Sequence, residues 1–134
     1  MANSLHMFSP EWMEQFRQVV NEDRELSWIA RWMTCDFVWR IGEAVYLFHV
    51  LGGKVISVVA PTWNDSWDFA IEGTEEAWSK FAQPLPPPMY YDLLGMVTRL
   101  PECRLTGNRL KAMQHIRSLT RMMSLVREVG GETR

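Results

Sequence analysis

The amino-acid sequence predicts an α+β fold: a five-stranded, mainly antiparallel sheet with helices packed on one face and a long C-terminal helix. Three observations lead there. Both ends of the chain carry apolar residues at helical spacing, the middle carries them at every second position, and short glycine-containing turns join the alternating segments. The 134 residues are the length of one domain, by the usual ~100–200 residues each. Its core is expected over about residues 8–129.

The first helix starts at Ser9, a favourable cap, with Pro10 at the first helical position and Glu11 against the positive end of the helix dipole. Phe8 and Met13 flank the cap as a hydrophobic staple, and Trp12, Phe16, Val19 and Val20 supply one apolar stripe. A shorter helix follows the polar break Asn21-Glu22-Asp23. Leu26, Ile29, Ala30 and Met33 make one of its faces, and Trp28 and Trp32 lie together on another. The period then changes. Cys35, Phe37, Trp39 and Ile41 alternate with Asp36, Val38 and Arg40, the rhythm of a half-buried strand. Gly42-Glu43 turns into a second strand, Ala44 to Leu51, and Gly52-Gly53 into a third, Val55 to Ala60, ended by Pro61. Trp67, Phe69 and Ile71 alternate with Asp68, Ala70 and Glu72 in a fourth strand closed by Gly73. The short connections predict an antiparallel meander.

The last third returns to helices. Thr74 caps a short one carrying Ala77, Trp78, Phe81 and Ala82, and Pro84, Pro86, Pro87 and Pro88 stiffen the connector after it. Met89 to Val97 reads as a helix begun by Pro88, and Arg104-Leu105-Thr106-Gly107 as a short strand. Asn108 then caps the longest helix, which runs to about Val129 and stops at Gly130-Gly131. Ala112, Ile116, Leu119, Met122, Met123 and Val126 fall on its broad apolar face.

Composition narrows the function. A net charge of −2 argues against general nucleic-acid affinity. Two cysteines, Cys35 and Cys103, make neither a disulfide framework nor a thiol metal site. No apolar run is long enough to cross a membrane, and the N-terminus lacks the pattern of a secretory signal, so a small soluble protein of a reducing cytoplasm is expected. His6, His49 and His115 have no nucleophile motif beside them, and zinc, phosphate-loop and serine-elbow patterns are lacking, so neither catalysis nor a metal or other cofactor is expected. Cys35 and Cys103 read as small buried hydrophobes rather than nucleophiles. Asp36 and Asp68 read as residues of a solvated sheet face rather than a working carboxylate pair.

Two features remain. Seven Trp and nine Met are more bulky, deformable apolar groups than packing alone needs in a chain of this size. Charge is also uneven: from Arg99 onward there are eight basic and three acidic residues. Arg117 and Arg121, one turn apart, project opposite the apolar stripe of the last helix. They read either as a solvated face or as a cationic patch for an anionic head group, a thioester's phosphates or a membrane surface.

The succession of elements from Phe8 to Val129 resembles the sterol carrier protein type 2 (sterol-binding) domain family. The resemblance is carried by Phe8-Ser9-Pro10-Glu11-Trp12, Ala44-Val45-Tyr46-Leu47 and Trp67-Asp68-Phe69-Ala70-Ile71-Glu72-Gly73, with Glu76-Ala77-Trp78 and Cys103-Arg104-Leu105-Thr106-Gly107-Asn108 completing it. The chain departs from that pattern at Leu85-Pro86-Pro87-Pro88, at Leu100-Pro101-Glu102 and at Asn108. The resemblance implies an apolar tunnel between sheet and helices for sterols, fatty acids or acyl-CoA thioesters.

The wall residues expected for such a tunnel are Phe37, Trp39, Phe69 and Ile71 on the sheet. Trp78, Phe81, Met89, Leu93, Met96 and Val97 come from the two middle helices, and Ile116, Leu119, Met122 and Met123 from the last. Each serves equally as plain core. The expected activity is non-catalytic binding and transfer or presentation of a hydrophobic small molecule, with a metabolic enzyme as a possible recipient and at most peripheral membrane contact. Two other classes stay open: a small cone-shaped α+β enzyme of the isomerase or dehydratase type, and a module whose apolar face docks a protein.

Overall fold

A computed structural model describes residues 7–129. Helix α1 spans Pro10–Glu22 and α2 spans Arg24–Ile29. Strands β1 (Cys35–Ile41), β2 (Ala44–Leu51) and β3 (Lys54–Val59) follow, then β4 (Phe69–Gly73), α3 (Glu75–Phe81), α4 (Leu93–Arg99) and β5 (Arg104–Gly107). The chain closes with α5 (Arg109–Gln114), α6 (Ile116–Ser124) and α7 (Val126–Val129). The helix starts follow the polar side chains that satisfy otherwise unpaired backbone donors. Ser9 accepts from Trp12 N at 3.2 Å, Thr74 from Ala77 N at 3.1 Å and Asn108 from Lys111 N at 3.0 Å.

The five strands form one sheet in the order β3-β2-β1-β4-β5. The expected meander holds for β1, β2 and β3 only: β4 pairs with β1 in parallel, with Phe37 opposite Phe69 and Trp39 opposite Ile71. The connection 60–68 between β3 and β4 is therefore a crossover past two strands rather than a hairpin. Its length suffices, because an extended segment of that size reaches roughly 30 Å while three strand spacings take up only about 14 Å. β5 returns antiparallel to β4.

Three helical boundaries also differ from expectation. The helix expected from Met89 begins only at Leu93, because Asp92 rather than Pro88 caps it, accepting from Gly95 N at 2.7 Å. Met89 precedes it in a left-handed conformation, φ +76°, which no helix contains. The long C-terminal helix is interrupted at His115 and Leu125, where backbone bonds tighten, as in His115 N to Ala112 O at 3.1 Å. Trp67 and Asp68 precede β4 rather than belonging to it, and Gly130-Gly131 lie outside the described residues, as does His6.

One sheet face carries the core. Phe37, Trp39, Phe48, Phe69 and Ile71 face the helices and join Trp12, Phe16, Trp78, Phe81, Leu119 and Met122 in one buried cluster. The other face is mixed: Val38, Leu47, Val59 and Ala70 share it with polar groups, tied by Asp36 to His49 and by an Arg40–Glu72 ion pair at 3.6 Å. Edge strand β3 is fastened to α1 by Asn21, whose side-chain amide donates to Val55 O and accepts from Val55 N, both at 2.9 Å.

The β2–β3 turn packs so closely on the segment after α2 that only glycine fits. A Cβ on Gly53 would lie 2.5 Å from Ala30 O, whereas one on Gly52 would meet nothing within 4 Å; both have positive φ. Gly53→Ala is therefore expected to destabilise by about 2 kcal/mol or more, and Gly52→Ala by about 1 kcal/mol. Denaturant unfolding of the two variants checks this; equal losses would contradict the close approach.

Candidate functional site

The site is built on an aromatic floor. Register places Phe48, Phe37 and Phe69 side by side on β2, β1 and β4. Their rings are stacked, with centroids 4.9 Å apart for Phe37–Phe48 and 5.3 Å for Phe37–Phe69. Trp39 leans over the end of this stack, 4.6 Å from Phe48 and 4.8 Å from Trp78. Phe16 of α1 closes on it at 5.2 Å and is itself stacked on Trp12 at 5.5 Å.

Two buried indoles in this interior differ in one respect. Trp78 Nε1 donates to Arg40 O at 2.9 Å, whereas Trp39 Nε1 is buried with no hydrogen-bond partner. An orphaned buried donor costs roughly 1–3 kcal/mol, so the Trp39 N–H is the point of this interior best placed to gain from an acceptor oxygen.

Eleven of the expected wall residues lie buried within this continuous core: Phe37, Trp39, Phe69, Ile71, Trp78, Phe81, Leu93, Met96, Leu119, Met122 and Met123. Val97 and Ile116 are partly buried and pack against it. Met89 is half exposed and stands apart, ahead of α4.

Ile116 also belongs to a second feature, a groove of about 490 Å³ between α2, the start of α4 and α6. Ile29, Leu94 and Ile116 supply its apolar surface, Arg117 and Arg121 its cations, and Glu25, Asp92, Thr120 and Ser124 its remaining polar groups. Sequence reasoning found Ile116, Arg117 and Arg121 but missed the α2 and α4 contributors. Those two short helices carry no signal of facing α6; only the packed structure brings them together.

The two arginines differ. Arg121 is committed to Asp23 through Nε to Oδ2 at 3.1 Å and Nη2 to Oδ1 at 2.7 Å, a bidentate pair that bridges the α1–α2 junction to α6. It does not simply project into solvent opposite the apolar stripe. Asp23 also caps α2, accepting from Leu26 N at 2.8 Å. The Arg121 guanidinium hydrogen-bonded to it holds the Asp23 carboxyl below the usual carboxylate range, and the Leu26 N–H adds to this against the opposing effect of burial. Arg117 is exposed and has no ion pair among the described residues.

The far wall is held by Arg127. Its Nε donates to Phe81 O at 2.8 Å, its Nη2 to Tyr91 O at 2.8 Å and Tyr90 O at 3.3 Å, and its guanidinium lies 4.3 Å from the Phe81 ring centroid. The charge thus secures the connector that leads to Asp92 and Leu94.

Burial pushes the Cys35 thiol up to about 12 and the Cys103 thiol up to about 11, so both stay protonated at neutral pH. Asp36 and Asp68 serve structural bonds: Asp68 Oδ2 accepts from Asp36 N at 2.9 Å and pairs with Lys111 at 3.4 Å. Among the described residues no group of three or more His, Cys, Asp or Glu could hold a metal ion, and no helix is long and apolar enough to cross a membrane.

No protein-family model matches the chain, and no curated protein does. Solved structures do match. A crystal structure of sterol carrier protein 2 superposes with a TM-score of 0.75 at 15% identity, covering 93% of this chain and 100% of that one. A solution structure of a conserved hypothetical protein from Thermus thermophilus, described as a candidate sterol carrier protein, gives 0.73 at 12% identity over 99% of this chain and 96% of its own. A ubiquinone synthesis protein, UbiJ-SCP2, gives 0.57 at 11% identity, covering 84% of this chain and 85% of that chain. The chain has the sterol carrier protein 2 fold.

Trp78→Phe is expected to cost about 1 kcal/mol more than Trp39→Phe, because only the former breaks a hydrogen bond and strips a partner from Arg40 O; equilibrium unfolding of both variants measures the difference. The depressed Asp23 pKa contributes stability that is present above the unfolded carboxylate value of about 3.9. That stability is lost as pH falls through the lower folded value. Asp23→Asn should therefore weaken the protein near neutrality and flatten its loss of stability in acid, read by denaturant unfolding across that range.

Proposed function

We propose that this protein binds a hydrophobic or amphipathic small molecule without altering it and presents or transfers it. The observation that carries this reading is the groove: apolar surface from Ile29, Leu94 and Ile116 beside Arg117, a cation with no ion pair among the described residues. Its volume of about 490 Å³ falls within the ~300–1,000 Å³ usual for small-molecule sites. A long-chain acyl group with an anionic end suits that pairing: chain on the aliphatic side chains, carboxylate or phosphate toward Arg117. The buried residues beneath, from Leu93 and Met96 to Leu119, Met122 and Met123, form the adaptable interior into which a longer guest would extend, methionine being the most deformable of them.

Magnitudes suit a carrier. At roughly 0.8 kcal/mol per buried methylene, ten of them give about 8 kcal/mol gross. Ordering and association costs leave affinity near the micromolar range, enough to hold an insoluble molecule and weak enough to surrender it. Sterol carrier protein 2 among the structural neighbours supports a lipid-like guest, and the ubiquinone synthesis protein supports delivery to a metabolic enzyme. A catalytic acid would have a raised pKa. Among the described residues the two carboxylates with displaced values, Glu14 and Asp23, both move down instead.

Addition of a long-chain fatty acid or its CoA thioester is expected to raise the melting temperature and change tryptophan fluorescence. Arg117→Gln should weaken both ligands about fivefold while leaving sterol binding, which needs no cation, unchanged. Absence of any response across fatty acid, acyl-CoA and sterol at saturating concentration would overturn the proposal.

A further inference from the structure

On the other side of α2 from the groove lies a surface of different character. Trp28 is 65% exposed and Trp32 81% exposed, a large apolar area to leave in water. The turn between β2 and β3 abuts the same segment, with Gly53 N bonded to Met33 O at 2.9 Å, and brings Leu51, 55% exposed, to this end of the molecule. Between the two indoles sits Arg31, its guanidinium 3.7 Å from the Trp28 ring centroid and 5.5 Å from that of Trp32. Trp28 and Arg31 line a shallow depression with Arg24, Lys54, Ser27, Asn21 and Glu22.

The charge here is net positive. Lys54 Nζ donates to Asn21 O at 2.8 Å and Ser27 Oγ at 2.9 Å, and Arg31 Nη1 to Trp28 O at 2.6 Å, all neutral acceptors. Neither these two cations nor Arg24 has an ion pair among the described residues. Glu22 is the one acid lining the depression, and Glu25 on the groove side lies 3.8 Å from Arg121. Three cations around two exposed indoles therefore stand on a chain whose net charge is −2.

We propose that Trp28, Trp32 and Leu51, with Arg24, Arg31 and Lys54, form a docking surface for an anionic phospholipid membrane. Indole is the side chain that settles at the level of lipid head groups, apolar in body with one N–H for the polar layer. Arg31 and Lys54 are exposed and rest on neutral protein oxygens, so their charges stay unneutralised at the surface and their remaining N–H donors can meet lipid phosphates. The charge complementarity selects an anionic bilayer over an apolar protein groove, which would strand three cations out of water. α2 contributes to both surfaces, Trp28 to this one and Glu25 and Ile29 to the groove, so docking would hold the groove beside the membrane. The docking surface stands whether or not the groove takes a lipid.

Sedimentation with vesicles tests it. Vesicles of phosphatidylcholine with roughly 30% phosphatidylglycerol are expected to pull down the protein at low salt, and phosphatidylcholine vesicles at least about tenfold less. Raised salt should weaken binding. Trp28→Ala/Trp32→Ala should abolish it, Arg31→Gln should weaken it about fivefold, and Trp63→Ala, removing an indole 95% exposed elsewhere, should leave it unchanged. No binding to anionic vesicles, or equal binding by the double variant and Trp63→Ala, overturns the proposal. So does self-association lost in the double variant without any vesicle binding, since that would make the surface a contact between copies of the chain.

Discussion

The structure depends on β4 lying parallel to β1. That pairing sets Phe69 beside Phe37, and the hairpin on the other side sets Phe48 beside Phe37, so three rings stack across three strands. Each such contact adds about 0.5–1.5 kcal/mol beyond area burial. The stack also gives the helices a flat surface to meet: Trp39 at its end collects Phe16 from α1 and Trp78 from α3. A one-residue slip in β4 would turn Phe69 and Ile71 to the outer face and put Ala70 and Glu72 into the core.

Much of this was legible in the residues. Alternation at Phe37, Trp39 and Ile41 and the capping residues Ser9, Thr74 and Asn108 report local chemistry, and local chemistry decided those elements. The parallel pairing was not legible, because an extended connection and a loose hairpin loop read alike until their ends are placed. Asp92 was overlooked as a cap because Pro88 offered a familiar helix start four residues earlier. The interruptions at His115 and Leu125 leave no trace in an apolar stripe that continues across them. Of the candidate site, the buried residues of the core could be named from periodicity, but the groove could not, since Glu25, Ile29, Asp92 and Leu94 reach it from two short helices far apart in the chain.

Asp23 shows how the site is tied to the scaffold. One carboxylate caps α2 and grips Arg121, joining the α1–α2 junction to α6 across one wall of the groove. Arg127 does the same for the opposite wall through the carbonyls of Phe81, Tyr90 and Tyr91. With these charges used for structure, Arg117 is left in the groove with no ion pair among the described residues, and α2 becomes a partition between that groove and the exposed indoles of Trp28 and Trp32.

The central claim is that the α2–α4–α6 groove receives the aliphatic part of a guest. Methyl-detected NMR during titration with a long-chain fatty acid tests it most directly. Saturable shifts of the Ile29, Leu94 and Ile116 methyl groups, with smaller ones at Leu119, Met122 and Met123 beneath them, are the predicted result. Saturation that leaves Ile29, Leu94 and Ile116 unmoved would contradict it.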